Sequence, residues 1–179
     1  MSFVLSTAGV LWLLLPAAMA NMAPVFASKI FGPGRPIDGG RKIGGTRLFG
    51  DHKTWQGLIA GIVVGQLTFG IQWLMAGLSW VSVIQLGTGL PVFLGALMGF
   101  GALAGDLVKS FFKRKIGVAP GKSWIPFDQI DFVIGATLVS LPFVMSPLLP
   151  WLAALMILLV LHILTNVIGW LIGIKKSVL

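Results

Sequence analysis

Residues 86–149 read LGTGLPVFLGALMGFGALAGDLVKSFFKRKIGVAPGKSWIPFDQIDFVIGATLVSLPFVMSPLL, and how this stretch is taken decides the fold. A glycine-rich apolar run ends at Gly105-Asp106. A basic segment follows, with Lys109, Lys113, Arg114, Lys115 and Lys122, and Asp128 and Asp131 then open a second apolar run. In water both runs would need a polar coat, and the chain cannot supply one: 56% of its residues are hydrophobic and 10% charged, against about 25% charged in an ordinary soluble domain. A bilayer is the solvent that fits. Lipid satisfies no backbone N–H or C=O, so each run must be helical there.

Working outward, the same reading gives five spans, about residues 2–26, 55–78, 86–108, 130–149 and 150–173, each offering the ~20 largely apolar residues that cross a ~30 Å hydrocarbon core. The expected architecture is one all-α integral membrane domain over residues 1–179. The 13 basic residues fall in three places. Lys29, Arg35, Arg41, Lys42, Arg47 and Lys53 lie between the first two spans, the five named above lie between the third and fourth, and Lys175 and Lys176 lie in the tail. The positive-inside rule then puts the N-terminus outside and both basic loops and the C-terminus in the cytoplasm of a multi-pass cell (plasma) membrane protein. The first segment could also be read as a signal peptide ending at Ala18-Met19-Ala20, but its start has no basic region, so it is taken as a retained span.

Within the spans, Gly57, Gly61 and Gly65 recur every four residues, as do Gly95 and Gly99, then Gly101 and Gly105. Small residues at that spacing let helices approach closely. Packing inside the chain is the preferred reading, with a homodimer through the same face left open. Gln66 and Gln72 are placed to bond between helices or line a cavity. Asn21 beside Pro24 reads either as support for a kink or as a ligand contact.

Cysteine is absent, which excludes disulfides, thiolate chemistry and cysteine metal sites. His52 and His162 lack metal-ligand spacing. All five acidic residues are aspartates, and a carboxylate at the membrane edge is costly enough to mark function. If the third helix continues past residue 108, Asp106, Lys109, Ser110 and Lys113 share one of its faces. Asp128 and Asp131, three apart, share a face of the fourth. Three carboxylates on neighbouring helices suit Mg²⁺, which takes a few carboxylates together with substrate phosphates and water. Lys109, Lys113 and Arg114 beside them suit a triphosphate. The plainer reading is a set of ion pairs at the interface. The segment from Gly117 to Lys122-Ser123 imitates a P-loop but has three residues between its glycines where that motif needs four.

The first loop, residues 28–57, reads SKIFGPGRPIDGGRKIGGTRLFGDHKTWQG and is too rich in glycine and proline for helix. Its backbone N–H groups, with Arg and Lys between them, could wrap phosphate oxygens; equally, it could be a basic loop touching anionic headgroups. Asp51 or Thr54 is placed to cap the second helix.

The series Gly105-Asp106, Ser110, Lys113-Arg114, Pro120-Gly121, Asp128 and Asp131 resembles the signature of the CDP-diglyceride synthetase superfamily. The chain departs from the bacterial pattern at Val118-Ala119, Lys122-Ser123-Trp124 and Gln129. It is instead similar to the archaeal branch, the CDP-archaeol synthases, through Pro16, Asn21, Pro24, Asp38, the run from Lys53 to Gly57 and the PFDQID segment from Pro126 to Asp131. The resemblance implies transfer of CMP from CTP to 2,3-di-O-geranylgeranylglycerol 1-phosphate, giving CDP-archaeol and pyrophosphate. It implies Mg²⁺ on Asp106, Asp128 and Asp131, catalysis by these with Lys113 and Arg114, and substrate contacts from Lys109, Ser110, Lys53, Thr54, Arg47, Asp38, Asn21 and Gln129. The partners are then CTP, a lipid phosphate and membrane lipids, with no nucleic acid. A CDP-diacylglycerol-type synthase acting on ester lipids and a small membrane transporter are the alternative readings.

Overall fold

The computed structural model describes residues 3–75, 90–118, 124–144 and 147–171. It is a helical protein: α1 (Phe3–Phe31), α2 (Trp55–Met75), α3 (Leu94–Lys115), α4 (Phe127–Ser140) and α5 (Leu148–Leu171). The all-α expectation needs one addition, a hairpin of β1 (Lys42–Ile43) and β2 (Thr46–Arg47) in the first loop. Gly44 and Gly45 turn it with φ of 59° and 81°, values that favour glycine.

Several expected boundaries move. α1 runs to Phe31, five residues past the expected end, because Gln56 of α2 donates to the carbonyls of Ala27 and Gly32 at 3.2 and 3.5 Å and Lys29 sits in its last turn, where a cation suits the helix dipole. α3 starts at Leu94, after Pro91, and carries the charged segment as helix out to Lys115: the expected span ended at residue 108, and the helix does continue past it, as the shared face of Asp106, Lys109, Ser110 and Lys113 required. The expected fourth span breaks in two: α4 has 14 residues, about 21 Å at 1.5 Å per residue, and stops before Pro142, which has no N–H for the ladder. The expected end of the second span and start of the third fall within residues 76–89, and Lys122, Lys175 and Lys176 fall within 119–123 and 172–179, all outside the described residues. Three helical stretches, Ser6–Phe31, Trp55–Met75 and Leu94–Lys115, are long and apolar enough to cross a membrane.

The most extensive packing is α3 on α4 and α1 on α2, with α2 also against α3. Glycine makes the approach possible. A side-chain carbon at Gly65 would stand 2.6 Å from the Gly95 carbonyl oxygen, and one at Gly101 would stand 2.6 Å from that of Gly135. The small-residue face of α2 is thus filled from within the chain: Gly57 meets Pro24, Gly61 meets Leu103 and Gly65 meets Gly95 and Gly99. A homodimer would have to use another surface.

The glutamines of α2 close the polar accounts of the other helices. Pro16 offers no N–H to the Trp12 carbonyl four residues earlier, and Gln72 Nε2 donates to that carbonyl at 2.6 Å. The α3 N-terminus has no cap of its own. Gln66 caps it instead, accepting from Ala96 N–H at 3.0 Å and donating to the Val92 carbonyl at 2.8 Å.

Candidate active site

The site lies where the polar end of α3 meets the start of α4 and the returning arm of the first loop. Gly105, one residue before Asp106, packs directly on the backbone carbonyl of Asp131, so the close α3–α4 crossing itself brings two of the three aspartates together. Asp128 stands in the first turn of α4, where the helix dipole favours a carboxylate, and its Oδ2 accepts from the Trp124 N–H at 2.6 Å. The three carboxylates converge on one ammonium. Lys109 Nζ lies 3.0 Å from Asp106 Oδ1, 2.9 Å from Asp128 Oδ1 and 2.7 Å from Asp131 Oδ2. Lys113 Nζ holds both oxygens of Asp128 at 3.1 and 2.8 Å. Lys53 pairs with Asp106 Oδ2. Three lysines therefore match three aspartates in one neutral assembly spread over α3, α4 and the first loop.

Lys53 reaches it because the loop folds back on itself. Ile37 N–H donates to the Lys53 carbonyl at 2.8 Å and Trp55 N–H to the Arg35 carbonyl at 3.0 Å. Thr54, not Asp51, caps α2, its Oγ1 accepting from Gly57 N–H at 3.1 Å. Asp51 pairs with Arg47 at 2.6 Å. The hub of the loop is Asp38, whose side chain is fully buried. It takes Arg47 Nη2 at 2.6 Å and Nε at 3.2 Å, and the N–H groups of Gly40, Phe49 and Gly50 at 3.0 to 3.3 Å. The Arg47 guanidinium, helped by these amides and against the cost of burial, holds the Asp38 carboxyl well below the usual carboxylate range.

The structure thus brings Asp106, Lys109, Lys113, Asp128, Asp131 and Lys53 together and sets other expected residues apart. Asp38 and Arg47 are engaged with each other in the loop. Ser110 Oγ donates to the Asp106 carbonyl at 2.7 Å. Arg114 Nη1 donates to the Val118 carbonyl, while its buried Nε has no acceptor among the described residues. Asn21 sits half-buried on α1. Gln129 is 1% exposed, and helix geometry turns it to the core with Ala136, away from Asp131; its Oε1 has no donor among the described residues. Trp124 is the contributor that spacing alone did not single out: it binds Asp128 through its backbone and packs on Phe127, ring centres 4.3 Å apart.

Two spaces flank the cluster. A cleft of about 40 Å³, lined by Pro24, His52, Lys53, Thr54, Leu103 and Asp106 among others, lies on the loop side. On the other side an apolar groove of about 430 Å³ runs between α3 and α4, from Lys109, Asp131 and Trp124 at one end to Gly101, Leu138 and Val139 at the other.

In the chemistry of its donor atoms, though not in their arrangement, the set fits Mg²⁺. It consists of carboxylate oxygens, the hard ligands that ion takes, and the three already share one cationic partner. Among the described residues, no group of three carboxylates is arranged to hold a metal ion; the three stand around the Lys109 ammonium instead.

A family model described as CarS-like CDP-archaeol synthase matches residues 3–179. The chain is 39% identical over 175 residues to a CDP-archaeol synthase of Halobacterium salinarum (strain ATCC 29341 / DSM 671 / R1), covering 93% of each protein. It is 38% identical over 181 residues to that of Methanosarcina barkeri (strain Fusaro / DSM 804), covering 92% of this chain and 99% of the relative. A solved structure of an intramembrane enzyme for archaeal membrane lipids biosynthesis is similar with a TM-score of 0.70 and 34% identity, over 87% of this chain and 91% of that one.

Proposed function

This chain belongs to the CDP-archaeol synthase family, and from that premise we propose how its residues carry the reaction. The protein is a membrane-embedded, CTP-dependent cytidylyltransferase that transfers CMP to an archaeal lipid phosphate, giving CDP-archaeol and pyrophosphate. An oxygen of the lipid phosphate attacks the α-phosphorus of CTP, and the bond from that phosphorus to the bridging oxygen of the β-phosphate breaks. The nucleophile is already an anion, so no general base is needed, and catalysis reduces to positioning and charge stabilisation.

The single observation that carries the site reading is the convergence of Asp106, Asp128 and Asp131 on one point. In this reading these carboxylates hold Mg²⁺, which when bound offsets phosphate charge. Lys53 and Lys113 orient the triphosphate and receive the charge that develops on pyrophosphate; Arg114, whose Nη1 holds the Val118 carbonyl, joins them by releasing it. The apolar groove between α3 and α4 takes a lipid chain and delivers its phosphate to the Lys109–Asp131 end; the groove is continuous with the cluster and lined by Val108, Phe112, Ile134 and Leu138. The chain is read as crossing the membrane with its N-terminus outside and the site on the cytoplasmic face of the plasma membrane, where CTP is supplied. The basic loops on that side support this orientation.

The test is turnover by purified protein of CTP labelled in its α-phosphate, against a panel of lipid phosphates with and without Mg²⁺. Mg²⁺-dependent transfer of the label to lipid that requires the geranylgeranyl ether lipid phosphate is the expected result. Equal turnover of diacyl phosphatidate would move the assignment to a CDP-diacylglycerol-type synthase, and full activity without divalent cation would remove the metal.

A further inference from the structure

Lys53 and Lys113 each have one carboxylate partner among the described residues, whereas Lys109 has three. Asp131 in turn has Lys109 as its ion partner and no other among them. Two helices thus aim three carboxylate oxygens at a single nitrogen, each 2.7 to 3.0 Å away. Without that charge the three anions would repel one another. Resting on the carboxylate reading above, we propose that Lys109 is a positioning residue that competes with the divalent cation: its ammonium holds the three carboxylates at their meeting point, and gives that point up to the cation when metal and triphosphate bind.

Three observations carry this. The first is distance. Mg²⁺ takes oxygens at about 2.0–2.1 Å, so oxygens already within 3.0 Å of one centre need to close by under about 1 Å, and the centre cannot hold both cations. The second is charge. Three lysines balance three aspartates, so a divalent cation added alone would leave the cluster positive; a triphosphate arriving with it carries more negative charge than the cation offsets and gives the freed ammonium a partner. The third is the side chain. Lysine is a point charge on a flexible stem with three rotatable donors, where arginine would lock a planar fork onto the carboxylates. Lys109 sits one turn before Lys113 and Arg114 on α3, so an ammonium swinging toward them joins the other phosphate-binding cations.

The test is Mn²⁺ binding, followed by electron paramagnetic resonance, to detergent-purified wild-type protein and Lys109→Met without nucleotide or lipid. If the lysine leaves the meeting point for about a tenth of the time, removing it tightens Mn²⁺ binding about tenfold. Mn²⁺ should also raise the melting temperature of the variant more than that of the wild type. Equal Mn²⁺ affinity in the two proteins overturns this inference and leaves the metal site standing. No binding in either, even with CTP, overturns the metal site as well. The wild type supplies a second measurement that does not depend on the variant folding: in crystals grown with Mn²⁺ and CTP, Lys109 Nζ should lie beyond hydrogen-bond reach of Asp131, and an ammonium still bonded to all three carboxylates overturns the inference.

Discussion

Two groups of ionised residues stand close together on one face of this protein, and they are built in opposite ways. Asp38 is enclosed by its own loop: one guanidinium grips both oxygens and three backbone amides complete its hydrogen bonds. Asp106, Asp128 and Asp131 are held mainly by lysine ammoniums that arrive from different elements. Backbone amides cannot leave without unfolding the loop. Ammoniums on long stems can, and a substrate phosphate can receive them. Ion pairs that look alike in a sequence therefore separate into structure and chemistry by what completes their hydrogen bonds.

Neutralising one carboxylate in each group gives the largest contrast. Asp128→Asn and Asp131→Asn should each lower turnover on the order of 10²–10³-fold, with the protein still folded in detergent. Asp38→Asn should instead weaken the loop by about 2 kcal/mol, the scale of a lost charge-assisted hydrogen bond, seen as faster amide exchange at Gly40, Phe49 and Gly50. Its turnover should fall only as far as Lys53 loses its place. Full activity in either α4 variant would dissolve the distinction.

The α3–α4 cluster could be read from the sequence because helical spacing is rigid: Asp106, Lys109 and Lys113 on one helix and Asp128 and Asp131 on another share faces by periodicity alone, and Gly101, Gly105 and Gly135 bring the two helices together. The role of Asp38 could not. It depends on a hairpin with two-residue strands, on a guanidinium nine residues away and on amides eleven and twelve residues away in an irregular loop, where no period links side chain to partner. The same limit explains the end of α1, which is set by Gln56 on another helix, and the break at Pro142, which a hydropathy reading of residues 130–149 runs straight through. The convergence on Lys109 was also beyond spacing, since a shared face does not say which cation three anions will choose.

Lys53 belongs to both groups, its backbone to the loop and its ammonium to Asp106. Lys53→Met keeps the backbone pairing with Ile37 and removes the charge alone. The expected outcome is a loss of about 10–100-fold in kcat/KM for CTP, the equivalent of one charge-assisted contact, with amide protection in the loop unchanged. Loss of protection at Ile37 and Gly40 would mean that the ammonium also holds the loop down, and would blur the line between the two groups.

The smallest effect expected is a null one over most of its range. The Asp38 carboxyl is held below its ordinary value by Arg47, and a depressed carboxylate contributes stability that is fully present above its unfolded value, about 3.9, and is lost as pH falls through the folded one. Protection factors at Gly40, Phe49 and Gly50 should therefore stay level from about pH 8 to pH 5 and begin to fall only below about pH 4. A fall in turnover between pH 8 and 5 then belongs to groups other than Asp38, because the loop that carries Lys53 is still closed. Protection lost in step with activity across that window would show the loop opening first and would make the two groups one titrating unit.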